Sequence, residues 1–338
     1  MDYKYLRTSQ VGPTLWVELC NPHVNFLTVG MLEELFHLVS EVRNDDSARV
    51  LVLTGGIEDT YIMHFSIPEL MRIAEESRTS YLTMLSRSAP GRFLLENVTT
   101  FSMLLMDHFP GIERISLRLA KRGRERMFSY FLWLQMHRLY LAIERLNKVT
   151  IAAINGPCNG GGTELTACFD FRFMVGDQGF TIGQPEVLLN IIPGGGSTQR
   201  LPGLMGKARA LEWMLWGNQL EPGEARRIGL LTGVFDKSEF RQKVQEFADH
   251  MAGRPPVAVD ALKQAVHRGA DTSLIRGLSL ELLQGMRCFD TSDTDRAMKA
   301  YARLLEERVD VPPGERIPQD ELMDIMLNAR YVDGFDGR

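Results

Sequence analysis

Short apolar runs alternate with amphipathic stretches over much of this chain. Leu15 to Leu19 and Val50 to Leu53 are apolar and bounded by turn formers, the pattern of strands buried in a sheet. Between them, Met31 to Val42 places apolar residues at helical spacing. Thr150 to Ile154 and Phe171 to Val175 repeat the arrangement around a glycine-rich turn, giving strand, turn, helix and strand again. Consecutive units of this kind predict an α/β fold with parallel pairing and right-handed crossovers.

Two stretches depart from that alternation. From Pro68 to Asn147 the pattern is helical with few strand signals, broken at Pro90-Gly91. After Arg254-Pro255-Pro256 it turns helical again, through Ala258 to Gly269, Ser273 to Phe289 and Ser292 to Glu307. A tail follows with Pro312-Pro313-Gly314 and a short helical stretch, Gln319 to Asn328.

Candidate chemistry concentrates in residues 151 to 203. Gly160, Gly161 and Gly162 lead into Glu164 and the helix-like run Leu165-Thr166-Ala167-Cys168. Amides in the first turn of a helix lack intrahelical partners, and glycine lets a substrate oxygen approach them, so this turn suits developing negative charge. Glu186 follows Phe180-Thr181-Ile182-Gly183-Gln184-Pro185, and a second triplet, Gly194-Gly195-Gly196, comes after an apolar stretch. Two carboxyls in apolar walls can be tuned for opposite proton-transfer roles near neutrality. Taken alone, Glu164 also fits a first-turn helix acid favoured by the dipole, and Glu186 a surface acid.

AINGPCNGGGTEL followed by FTIGQPEVLLNIIPGGGSTQRLPGLMG resembles the enoyl-CoA hydratase/isomerase family, the crotonase superfamily. The resemblance extends through Asn21 to Leu27, Arg49 to Gly55 and Gly217 to Val234, covering roughly residues 10 to 70 and 145 to 300. It implies a spiral of ββα units with a C-terminal helical region: a core over 1–255, carrying a helical insertion at about 68–147, and an oligomerisation region with tail over 256–338. It also implies backbone oxyanion donors at Gly161 and Met63, binding the thioester carbonyl oxygen. Here the family's usual Ala-Gly-Ala-Asp is replaced by Met63-His64-Phe65-Ser66, which puts the loop's shape in question. Glu164 and Glu186 match two positions that are both glutamate in hydratases, so the implied reaction is syn addition of water to an enoyl thioester, or its reverse. Glu164 would deprotonate the water and Glu186 would deliver the α-proton.

Val24, His64 and Gly162 are the further substrate-binding candidates, with the adenine near Val24 to Leu27. The acyl carrier is coenzyme A or a phosphopantetheine, part of the substrate rather than a resident cofactor. Isomerisation, decarboxylation and C–C hydrolysis on the same fold remain alternatives, as does a catalytically inactive scaffold. Fatty acid or polyketide metabolism is the implied setting, and a homotrimer or homohexamer the implied assembly. Phe101, Met103, Leu104, Met106, Phe128, Phe131 and Trp133 are candidates for an acyl tunnel, although the same spacing fits ordinary packing or a subunit interface.

Composition adds exclusions. The 338 residues are 44% hydrophobic, enough for a substantial core, and the formal net charge of -5 argues against a general nucleic-acid-binding surface. Arg114, Arg118, Lys121, Arg122, Arg124 and Arg126 form one basic run, read first as a solvated helix face and otherwise as a contact for phosphates or a membrane surface. Cys20, Cys158, Cys168 and Cys288 are scattered without metal-ligand spacing, and the histidines form no constellation, so no metal site is expected. A reduced, cytoplasmic setting is expected, without targeting peptide or membrane span. Ser197 lacks the flanking pattern of a nucleophile elbow.

Overall fold

The computed structural model describes residues 3–79, 81–108, 128–270 and 272–337. Its main sheet has six strands: β1 (Leu6–Val11), β2 (Thr14–Leu19), β3 (Val50–Gly55), β4 (Val149–Ile154), β6 (Phe171–Val175) and β9 (Gly233–Phe235) in that spatial order. Only β1 and β2 pair antiparallel; every later neighbour is parallel. A smaller sheet joins β5 (Cys158–Asn159), β7 (Ile182–Gly183) and β8 (Gln219–Leu220).

β3 and β4 are buried at every position because helices cover both faces of the sheet. Alternation along the strands separates two cores. Leu51, Leu53, Ala152, Ile154 and Met174 face one side, where they pack with Leu35, Leu38 and Val42 of the Val29–Val42 helix and with Leu139, Tyr140 and Ile143 of the Phe128–Glu144 helix. Val50, Val52, Ile151, Ala153, Phe173 and Val175 face the other, against Phe240, Val244 and Ala248 of the Phe240–Ala252 helix. The Val29–Val42 helix begins where the Thr28 hydroxyl accepts the Met31 amide at 3.2 Å.

The 68–147 segment is helical: Ile67–Thr79, Tyr81–Ser86, Ala89–His108 and Phe128–Glu144. Its two ends join the core. Glu69 accepts the Val29 amide, Glu76 accepts the Ser129 amide, and the last helix contributes buried Leu132, Leu139 and Tyr140. The Ala89–His108 helix instead exposes Phe93, Leu94 and Val98. Phe101 and Leu104, two of the tunnel candidates, are 63% and 53% exposed, so neither is enclosed. The basic run from Arg114 to Arg126 and the side chains of Met106, Phe128 and Phe131 lie outside the described residues.

The C-terminal helices span Pro256–Gly269, Leu274–Phe289, Ser292–Arg308 and Gln319–Leu327. The first is clipped to the sheet by buried Lys263, whose Nζ donates to Asp170 at 2.6 Å and to the Lys148 carbonyl at 2.7 Å. The tail does not hang free: Arg49 donates to the Phe335 carbonyl at 2.7 Å, and Phe335 is buried. No helix among the described residues is long and apolar enough to cross a membrane.

Candidate active site

β4 is followed by Asn155, whose side chain bridges the amide and carbonyl of Gly55 at the end of β3 (2.9 and 3.0 Å). The neighbouring strand ends are thereby tied, and the chain crosses through β5 into the short Gly161–Thr166 helix. Gly160 takes φ +53°, and a Cβ there would stand 2.8 Å from Glu186 Oε1, so both conformation and space require glycine. The Gly161 N–H, at the first helical position, makes no hydrogen bond among the described residues. It is the free donor that the glycine turn leads one to expect.

Glu164 is 4% exposed, one turn into this helix. Its Oε1 accepts the Gly195 amide at 2.6 Å. A Cβ on Gly195 would lie 2.8 Å from Glu164 Oε2, so the second glycine triplet serves to bring a backbone donor onto this carboxyl. Burial first, and the neighbouring Glu186 charge second, push the Glu164 pKa up to about 8, against the amides of Gly195 and Ser197 and the Arg200 guanidinium. Glu186 opens a single 3-10 turn, Glu186–Leu189, and burial raises its pKa as well. Its Oε1 accepts Gln184 Nε2 at 3.0 Å, whereas its buried Oε2 has no partner.

Sequence reasoning missed the groups that hold these two acids. Gln184 is fully buried, and Ser197 Oγ donates to its Oε1 at 3.1 Å, so Ser197, Gln184 and Glu186 form a hydrogen-bonded row. Arg200 grips Glu144 with two nitrogens and donates to the Gly195 carbonyl at 3.1 Å. His137, read from sequence as part of no constellation, donates from Nε2 to the Gly194 carbonyl at 3.0 Å. Linear spacing carries no sign of the long-range contacts, because His137 lies 57 residues from Gly194 and Glu144 56 from Arg200.

The Met63 loop faces the glycine turn through tight packing. Cβ atoms built on Gly161 would meet Phe65 at 3.3 Å and Leu27 at 3.4 Å, and one on Gly162 would meet Ile62 at 2.9 Å. Gly162 is therefore a close-packing position beneath the loop. The Met63 N–H points to the Val24 carbonyl at 3.4 Å, a long bond, which sets two of the candidate residues side by side. His64 donates from Nδ1 to the Phe65 carbonyl at 2.7 Å and packs its ring, tilted by 34°, against Phe26 at 4.6 Å between centroids. All four cysteines are free thiols, and burial pushes Cys158 up to about 12. Among the described residues no group of three or more His, Cys, Asp or Glu side chains is set to hold a metal ion.

An amide donor beside one buried and one half-buried acid is suited to stabilising an enolate while protons move on and off the adjoining carbons. Comparison with known proteins gives the family. The short-chain-enoyl-CoA hydratase of Clostridium acetobutylicum is 28% identical, over 82% of this chain and 86% of that protein. The crotonyl-CoA hydratase of Syntrophomonas wolfei is 37% identical, over 51% of this chain and 64% of that one. The crystal structure of an enoyl-CoA hydratase from Bacillus anthracis shares the fold, with a TM-score of 0.67 at 24% identity, covering 89% of this chain and 96% of that one. The profile of the enoyl-CoA hydratase/isomerase family matches residues 119–309, a span that takes in both glutamates and more than half of the sequence. By that match the chain belongs to the enoyl-CoA hydratase/isomerase family, the crotonase superfamily.

Proposed function

We propose that the protein is an enoyl-thioester hydratase that adds water syn across a 2-enoyl group, or removes it in reverse. The observation that carries this reading is the pair of glutamates, Glu164 buried and Glu186 half-buried, each separately hydrogen-bonded, beside the free Gly161 amide. One acid would suffice to shuttle a proton in isomerisation, whereas activating water and protonating carbon in one passage calls for two.

The two acids share one proton near neutral pH, since ionising both sets like charges against each other in a buried site. The donors are unequal: Glu164 has the Gly195 and Ser197 amides and Arg200, while Glu186 keeps an unpartnered oxygen. In the free site burial keeps the shared proton on Glu164; when substrate binds it passes to Glu186, and the Gly195 and Ser197 amides and Arg200 then hold Glu164 as the charged base. Glu164 takes a proton from water as the water oxygen bonds to Cβ. The π electrons move to Cα and the carbonyl oxygen, where the Gly161 amide meets the developing charge. The Met63 amide exchanges its long bond to Val24 for the same oxygen. Glu186 then delivers its proton to Cα, and proton exchange resets the pair. Coenzyme A or phosphopantetheine arrives as part of the substrate, and the step balances with water alone.

The Leu274–Phe289 helix supports a homotrimer or homohexamer. Leu274, Ile275, Leu282, Met286 and Phe289 stand 60–80% exposed on it, an apolar face that a second copy would cover.

Loss of enoyl-thioester absorbance with crotonyl-CoA and a longer 2-enoyl-CoA tests the reading. Turnover by the wild type that Glu164→Gln abolishes is expected. Thioester binding without hydration of either substrate would overturn it.

A further inference from the structure

We propose that His137 is a positioning residue for Glu164, acting through the peptide that joins Gly194 to Gly195. One peptide unit carries both contacts: its carbonyl, Gly194 O, accepts His137 Nε2 at 3.0 Å, and its amide, Gly195 N–H, donates to Glu164 Oε1 at 2.6 Å. A donor on the carbonyl polarises the peptide and makes its N–H a stronger donor, so the imidazole reaches Glu164 through one rigid plane.

That plane is closely packed. A Cβ on Gly195 would strike both Glu164 (2.8 Å) and the Tyr140 ring (2.9 Å), and Arg200, fixed by Glu144, holds the Gly195 carbonyl from the other side. His137 is itself braced by Trp133, ring to ring at 4.7 Å. Because a carbonyl only accepts, Nε2 carries the proton. Burial and the Arg200 charge push the His137 pKa down to about 4, which keeps the ring neutral with this donor in place across the working range. The charged and titratable groups facing Glu164 are otherwise Glu186, Arg200, Tyr140 and the Cys168 thiol, and Arg200 is the charge facing His137. The Phe128–Glu144 helix thus links the unusual 68–147 segment to the acid of the site.

The inference rests on the proposed hydration only for its kinetic readout. His137→Phe keeps a ring against Trp133 and removes the donor; His137→Gln keeps a side-chain N–H. Carbon-13 NMR titration of the Glu164 carboxyl reads the effect directly, without turnover. In His137→Phe the Glu164 titration is expected to rise by about half a pH unit, with kcat on crotonyl-CoA down about tenfold and KM within about twofold. His137→Gln is expected to recover most of both. An unchanged titration, or Phe and Gln variants alike, would overturn the proposal. Should His137→Phe not fold, nitrogen-15 NMR of the wild type decides: a neutral ring protonated at Nε2 is expected, and protonation at Nδ1 alone overturns it. A wild type that hydrates nothing would sink the hydratase reading and leave the titration to decide this one.

Discussion

The two sides of the candidate site are built differently. On the carboxyl side, Glu164 is held by Gly195 and Glu186 by the Ser197–Gln184 row, with Arg200 and Glu144 behind the glycine loop. On the oxyanion side, the Gly161 amide is free and the Met63 amide makes one long bond, in a loop without the family's glycine and aspartate. Proton transfer needs acids whose position and proton affinity are fixed beforehand, whereas a backbone donor needs only to point the right way. That explains how the Met63 loop can diverge in side chain while the two glutamates stay held by their hydrogen bonds.

On the oxyanion side, the largest expected effect lies on the Gly161 amide. Gly161→Pro removes the N–H at a first-turn position, and kcat on crotonyl-CoA is expected to fall about 100-fold or more. A ring that displaces Phe65 would complicate this, so thioester affinity should be measured beside it; unchanged kcat would show that Gly161 is not the donor. Met63→Ala supplies the contrast. With only its backbone at work, kcat/KM is expected to stay within about threefold, and a much larger loss would show that the side chain contributes.

Ser197→Ala sharpens the carboxyl side. It frees Gln184 Oε1 in a buried place and loosens the hold on Glu186, so kcat is expected to fall about tenfold. Ser197→Thr, which restores the hydroxyl, should regain part of it. Full activity in Ser197→Ala would reduce that row to packing.

The smallest effect concerns stability. In the free protein Glu164 holds its proton up to about pH 8, while the unfolded chain releases it near 4.5, the ordinary value of a glutamate. The folded state thus binds more protons between those values, and stability falls as pH rises through that window. Glu164→Gln removes this penalty, so its gain in thermal midpoint over the wild type should be larger at pH 8 than at pH 5. An equal difference at both would mean that Glu164 is not buried as a neutral acid.

Much of the fold was legible because buried parallel strands are apolar throughout: Val50 to Leu53 and Thr150 to Ile154 announce themselves. β1, LRTSQV, does not, since it is an edge strand with only Leu6 buried and pairs by backbone alone. The two-residue strands of the small sheet are too short for any periodicity. The tail gives no hint that Phe335 returns to Arg49, a contact spanning 286 residues. In the site, glycine triplets beside glutamates marked the reacting groups, because steric need leaves a trace in composition. Gln184, Ser197, Arg200 and His137 left none, since their roles arise only where separate turns converge.

The most direct measurement is kcat/KM for crotonyl-CoA in Glu164→Gln, Glu186→Gln and the double variant. If the two acids share one proton and act as a unit, each single change should cost roughly a thousandfold and the double change little more. Losses that multiply, or a Glu186→Gln protein that still hydrates at near wild-type rate, would contradict that sharing.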